Sequence, residues 1–319
     1  MAKRFKKRAN PKGGTPTPCI PNGLVIGRVG PVFKVRGDDG RLHDCLGKGE
    51  GKRAVIGDRV RVEAGVMTDL SNAILHQVAP RDTELVRMDA LGRRPQTVAA
   101  NLSRVFIVCA VLPELREGLI DRYLVAADRQ DIPAEIVLNK VDLLSDSERD
   151  FWSNRLAAYR RLGWPVHEVS AHNGEGLKRL AAAFIERTSI LVGHSGVGKT
   201  SLINALCPGV EERVKEISEA TGKGTHTTTT SAMYALPAGG AVIDSPGIRS
   251  FGLWGVSAES LREHFREFVE LQSSCRFSDC QHLKEPQCAI RLGVESGDLD
   301  ERRYLSYRAI RESLLDGQG

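Results

Sequence analysis

Residues 193–201 read GHSGVGKTS, directly after the apolar run SILV and at the opening of SLINALC. A G-x-x-x-x-G-K-[ST] signature between a strand and a helix is a phosphate-binding loop, and it requires a parallel α/β sheet to present it. Backbone N–H groups and the helix N-terminus surround the phosphates, and Gly198 permits close approach. Lys199 neutralises the β and γ oxygens and Thr200 ligates Mg²⁺. The expected phosphate-contacting residues are therefore Gly193, His194, Ser195, Gly196, Val197, Gly198, Lys199, Thr200 and Ser201.

The rhythm around this loop fits the requirement. From about residue 100 the apolar runs VFIVCAVL, EIVLN, VHEVSA, SILVG and AVIDS alternate with helical stretches such as LIDRYLVAADRQ, SERDFWSNRLAAYRRLG and LKRLAAAFIER. That pattern predicts a mainly parallel sheet covered by helices on both faces. In AVIDSPG the strand ends at Asp244 and Gly247 follows, which suits an aspartate holding Mg²⁺ through water and a backbone N–H sensing the γ-phosphate. The two motifs together imply a nucleoside triphosphatase.

Base choice is read from VLNKVD. Asn139, Lys140, Val141 and Asp142 lie just past a buried strand, and Asp142 would accept hydrogen bonds from the guanine ring N–H and exocyclic amine. Adenine offers neither donor and would leave a carboxylate unpaired, a mismatch that rejects an analogue by up to about 10⁴-fold. The partner loop is SAH, where Ser170 and Ala171 follow the next strand and the Ala171 N–H would meet the guanine carbonyl. In most GTPases the phosphate loop precedes the guanine motif. Here Asn139 precedes Gly193, so the G domain is circularly permuted, which is tolerable because the site is assembled from strand ends.

Between the phosphate loop and Asp244 lies TGKGTHTTTTS, in the position of a first switch. Thr228 is the expected magnesium-completing threonine. Ile248 stands where many GTPases carry a water-positioning glutamine, so another group is needed, and His226 is the nearest candidate beside a plain surface role. Lys199, His226 and Thr228 form the expected catalytic set.

Outside the α/β region the pattern changes. Residues 22–80 give five short runs, LVIGRV, PVFKVR, RLHDCLG, GDRVRVEA and AILHQVA, separated by turn signals. Alternation such as RVRVE predicts a small barrel with a wetted exterior; basic outer faces fit an OB-fold that binds RNA, while an SH3-like barrel or a packing domain gives the same pattern. Ahead of it, Lys3, Arg4, Lys6, Lys7, Arg8 and Lys12 precede the first acidic residue, Asp38. Such a tail is disordered and suits a phosphate backbone. No run is apolar enough to span a membrane and no secretory signal is present, so a cytoplasmic protein without membrane contact is expected. The expected divisions are a basic tail over 1–21, the OB-like unit over 22–90, the G domain over 91–252 and a helical zinc-binding unit over 253–319.

The seven cysteines do not read as a disulfide framework. Cys275, Cys280, His282 and Cys288 form C-x₄-C-x-H-x₅-C, three thiolates and an imidazole matching a closed, structural zinc site.

With NKVD, SAH, GHSGVGKTS, the G-x-H-T-T-T element at residues 224–229, DSPGIRSFGLW and the Cys/His cluster all present, the chain resembles the ribosome small subunit-dependent GTPase A family, the RsgA, YjeQ or YloQ proteins. The resemblance covers essentially the whole length. It implies a factor that binds the small ribosomal subunit and its rRNA late in maturation, hydrolyses GTP to GDP on contact and leaves; a monomer is expected. Alternatives are a permuted GTPase acting on the large subunit or another RNA, and a nonenzymatic RNA-binding scaffold, against which Lys199, Thr200, Asp244 and Asp142 argue.

Overall fold

The computed structural model describes residues 19–89, 92–113, 115, 117–209, 232–245 and 251–317. The basic residues 3–12 and the expected switch residues His226, Thr228, Gly247 and Ile248 lie outside them.

The chain begins with five strands, β1 (Gly23–Val29), β2 (Val32–Gly37), β3 (Leu42–Gly47), β4 (Arg59–Ala64) and β5 (Ala73–Val78). Alternate residues of β1 and β2 are buried, the signature of a sheet with one wet face. Val25, Phe33, Val35, Cys45, Val60 and Leu75 point inward and form a core of their own. The strands follow the order β1-β2-β3-β5-β4, with β3 and β5 parallel, and β4 pairs back onto β1 to close the barrel. A closed five-stranded barrel in this order bears out the OB-like expectation. Asp58, wholly buried at its base, accepts from Arg81 Nε at 2.7 Å and Nη2 at 2.9 Å, tying the barrel to the hairpin that follows.

That hairpin, β6 (Glu84–Met88) with β7 (Pro95–Ala100), leads into the central sheet. Its strands are β8 (Arg104–Ala110), β9 (Ala134–Asn139), β10 (Val166–Glu168), β11 (Thr188–Val192), β12 (Ala232–Ala235) and β13 (Ala241–Asp244). In β8, β9 and β11 every residue after the first is buried, as expected where helices cover both faces. The order is β10-β9-β8-β11-β13-β12, parallel except for β12, and β12 in turn pairs with β1 through Ala232 and Gly27. Barrel and central sheet are thus one continuous hydrogen-bonded surface. The hairpin is tied to the segment after the sheet, Met88 N–H donating to the Gly252 carbonyl at 3.0 Å.

Four helices accompany the sheet: α1 (Glu117–Asp128), α2 (Asp146–Arg161), α3 (Leu177–Ala182) and α4 (Lys199–Leu206). The start of α2 is set by the Glu148 carboxylate, which accepts from the Ser145 N–H at 2.8 Å. α3 stops earlier than the run LKRLAAAFIER suggests. Phe184 turns down onto the sheet to stack on Phe106 at 4.1 Å, and Arg187 Nη1 reaches back to the Ala183 carbonyl at 2.7 Å.

The C-terminal region carries α5 (Arg266–Leu271), α6 (Ala289–Glu295) and α7 (Glu301–Leu315). Asp300 caps α7, accepting from the Arg302 N–H at 2.9 Å. Phe265, Phe268, Tyr307 and Ile310 share one apolar cluster with Ile120 and Leu124 of α1, so the C-terminal helices pack onto α1. No helix among the described residues is long and apolar enough to cross a membrane.

Candidate nucleotide site and metal cluster

Asn139, Val192 and Asp244 end β9, β11 and β13, so the guanine motif, the phosphate loop and the acidic residue meet at the carboxyl edge of one sheet. Two glycines of the loop are dictated by space. A Cβ on Gly193 would lie 2.1 Å from the Val108 carbonyl, and one on Gly198, where φ is 92°, would lie 2.4 Å from Asn139 Nδ2.

Within the loop, Lys199 is 6% exposed, and its ammonium donates to the carbonyls of Gly193 at 2.9 Å and His194 at 3.1 Å. Burial lowers its pKa from the ordinary range, while Asp244 acts the other way. Thr200 Oγ1 donates to Asp244 Oδ2 at 3.3 Å. Asp244 is buried, its pKa raised by desolvation, and its Oδ1 has no partner among the described residues. A hydroxyl beside a buried carboxylate with an unused oxygen suits a hard cation that takes oxygen ligands. Val197 packs its side chain into the core, leaving only its backbone available, and His194 Nδ1 lies 2.8 Å from the Ser195 carbonyl.

The side that carries the NKVD and SAH loops is built around Asn139. Its Nδ2 donates to the Val197 carbonyl at 2.9 Å and its Oδ1 accepts from the Ala171 N–H at 3.1 Å, so one buried amide joins the phosphate loop to the SAH loop. The Ala171 N–H expected to face a guanine carbonyl is therefore already engaged. Lys140, with φ 66°, donates from Nζ to the Gly196 carbonyl at 2.7 Å. Asp142 Oδ1 is buried without a partner among the described residues, as a carboxylate awaiting N–H donors would be. Ser170 is buried, and its hydroxyl accepts from the N–H groups of His172 and Asn173 at 3.1 and 3.2 Å, which shapes the loop from within. A cavity of about 510 Å³ opens between these loops, lined by Asn139, Lys140, Asp142, Ala171, Gly198 and Ser201. Leu143, His172, Asn204 and Ala205 also line it. His172 is the last residue of the SAH motif, whereas sequence reasoning missed Leu143, Asn204 and Ala205; the last two were legible only as the turn of α4 after Ser201.

The donor atoms of Cys275, Cys280, His282 and Cys288 all lie within 4.8 Å of one another. His282 Nδ1 is 3.4 Å from Cys288 Sγ and 3.7 Å from Cys275 Sγ. Bonds of about 2.0–2.3 Å in a tetrahedron give edges of about 3.3–3.8 Å, a range that both His282 distances meet, so the cluster suits a small metal ion. Burial pushes the Cys280 thiol up to about 12 and His282 down to about 4, a dry cage that favours uncharged groups. α7 holds this cage from behind: Tyr304 and Tyr307 hydroxyls donate to the carbonyls of His282 at 2.8 Å and Gln281 at 3.0 Å.

A family profile for the RsgA GTPase matches residues 78–254, from the end of the barrel to just past the Asp244 loop. "Small ribosomal subunit biogenesis GTPase RsgA" of Pseudomonas fluorescens is 43% identical over 298 residues, covering 92% of this chain and 86% of that protein. The chain belongs to the RsgA GTPase family. An RsgA of the same description from Haemophilus influenzae is 41% identical, covering 92% and 85%. Among solved structures, YjeQ from Thermotoga maritima superposes with a TM-score of 0.71 at 28% identity, covering 92% of this chain and 98% of that one. YloQ, described as a circularly permuted GTPase, gives 0.67 at 28% identity, covering 93% and 95%. The RsgA relationship thus extends beyond the permuted G domain to both flanking regions.

Proposed function

We propose that this GTPase binds the small ribosomal subunit during its late maturation and hydrolyses GTP to GDP on that contact. The observation that carries the reading is the Asn139 amide, which ties a base-reading loop to a phosphate loop in one site; the ribosomal target is supported by relatives named for small-subunit biogenesis along nearly their whole length. Asp142 selects guanine, Lys140 lies along the base, and the backbone of residues 193–198 with Lys199 holds the phosphates. Thr200 and Asp244 hold magnesium, which when bound spreads the charge of the β and γ oxygens. His226, Thr228 and Gly247 complete the switch side, with His226 orienting water. Cys275, Cys280, His282 and Cys288 hold zinc as a structural ion. The barrel, the basic tail and the zinc unit, divided as 22–90, 1–21 and 253–319, contact rRNA, and the protein acts as a cytoplasmic monomer.

GTP turnover of the full chain, measured alone and with purified small or large subunits, tests this reading. Small subunits should raise turnover well above the free rate and large subunits should not. Equal stimulation by both, or by neither, would overturn the assigned target.

A further inference from the structure

Arg149, on the first turns of α2, belongs to none of the nucleotide-binding motifs, yet it holds both loops that face the base. Its Nη1 donates to Glu175 Oε1 at 2.7 Å and its Nη2 to Glu175 Oε2 at 3.0 Å, a two-pronged pair. The same Nη2 lies 3.2 Å from the Val141 carbonyl. That carbonyl belongs to the peptide plane whose nitrogen is Asp142's own, so holding it holds the Asp142 Cα from which the carboxylate projects. The other side of Val141 is held too, its N–H donating to the Val169 carbonyl at 3.2 Å.

Glu175 in turn is part of the SAH loop. Its carbonyl accepts from the Ser170 N–H at 2.9 Å and its N–H donates to Asn173 Oδ1 at 3.0 Å. Arg149 keeps the Glu175 carboxyl below its ordinary range, whereas the neighbouring Asp142 carboxylate pushes it upward. At Glu175 the guanidinium therefore outweighs the repulsion from the Asp142 carboxylate.

We propose that Arg149 is a positioning residue for guanine selection, clamping the Asp142 peptide to the Ser170–Glu175 loop through Glu175 and the Val141 carbonyl. This inference rests on reading residues 139–142 as the guanine loop. The clamp is half exposed, with Arg149 at 34% and Glu175 at 41%, so its strength is modest and its effect lies in orientation. A lysine reaches one point at a time and cannot hold both groups in this fork.

The test compares GTP and inosine triphosphate, which lacks the exocyclic amine and so makes one of the two Asp142 hydrogen bonds. In Arg149→Ala the Kd for GTP should rise about five-fold while that for inosine triphosphate changes less than about two-fold, narrowing the ratio between them. KM should follow Kd, with kcat at saturating GTP changed little. Arg149→Lys should recover part of the ratio, and Arg149→Ala with Glu175→Ala should cost no more than either change alone. Equal loss for GTP, inosine triphosphate and ATP, or an unchanged ratio in an Arg149→Ala protein with the parent's thermal midpoint, would overturn the clamp. If Arg149→Ala does not fold, Glu175→Gln, which keeps shape and loses charge, must narrow the ratio by itself or the inference fails. Asp142→Asn runs in parallel: lost guanine preference there with none in the Arg149 and Glu175 variants defeats the clamp alone, whereas retained preference in Asp142→Asn defeats the guanine reading and the clamp with it.

Discussion

The Arg303 guanidinium, on the last helix, donates to the Asp121 carboxylate of α1 in a setting where Arg303 is 3% and Asp121 0% exposed. The two lie 182 positions apart in the chain. Arg303 also grips Glu267 of α5 through Nε at 2.8 Å and Nη2 at 3.0 Å, and Tyr159 donates to Asp121 at 2.9 Å. One cation thus compensates two buried carboxylates from different parts of the chain. Removing it in Arg303→Met leaves both uncompensated, and the expected loss is about 3–5 kcal/mol. Urea unfolding followed by tryptophan fluorescence measures this, since Trp164 lies against the same guanidinium. A loss below about 1 kcal/mol would show that the network is not what holds the C-terminal region on.

For the phosphate loop, Lys199→Ala and Thr200→Ala should each lower GTP turnover by about 10²-fold or more, because each removes a group placed where charge develops. Steady-state phosphate release checks this. Parent-like turnover in both variants would remove the loop from the chemistry.

Asp142→Asn exchanges an acceptor for a donor at a half-buried position lining the cavity. Affinity for GTP should fall by about 10²-fold, and xanthosine triphosphate, whose ring carbonyl replaces the guanine amine, should become the better ligand. Competition binding against a labelled guanine nucleotide reads both changes, and an unchanged order of preference contradicts the role.

Elemental analysis of the parent protein should find about one zinc per chain. Cys280→Ser should lose it, and because few apolar contacts replace the metal inside the cage, the segment around residues 275–288 should open locally while nucleotide binding survives. Parent protein without zinc, or Cys280→Ser that retains it, runs against the assignment.

The loop of the cluster has its own acid limit. Although burial opposes it, Glu285 is lowered to about 2, because its carboxylate accepts from the N–H groups of Gln281, Leu283 and Lys284 at 2.9, 2.7 and 3.0 Å. A carboxyl whose pKa falls on folding adds stability above its unfolded value, near 4.5, and loses that contribution as pH drops through about 2. The stability difference between parent and Glu285→Gln should be constant above pH about 4.5 and shrink toward zero near pH 2. Paired unfolding curves across that range test it; a difference that does not move with pH assigns Glu285 a purely steric part.

Much of the site was legible because it depends on strand ends. The apolar runs closing at Asn139, Val192 and Asp244 are the observed strand ends, and the cluster from Cys275 to Cys288 is local enough for spacing to reveal it. The five barrel runs were visible through alternation, but closure by Gly23 and Leu24 on Val60 and Arg59 is a long-range pairing that no local pattern encodes. β12 was missed for a similar reason: four residues, AMYA, show no alternation of use and are strand because β13 and β1 pair with them. Nothing local marks Arg303, Asp121 and Glu267, since only the packing of α1, α5 and α7 brings them together.

During synthesis the strand order sets a timetable. β8, β9 and β10 are consecutive in the chain and adjacent in the sheet, so they can pair as soon as they emerge, carrying the NKVD and SAH loops with them. The strand that covers the other edge of β8 is β11, which begins at Thr188. At about 5–20 residues per second, the chain between Ala110 and Thr188 takes about 4–16 s to make. Throughout that interval the β8 edge is an unpaired, apolar strand edge, open to any other strand that meets it. The Asn139 amide waits as well, because its Val197 partner lies 58 positions downstream. In this chain the half that carries the NKVD loop is born first and stays unlatched and adhesive until the phosphate loop arrives to close it.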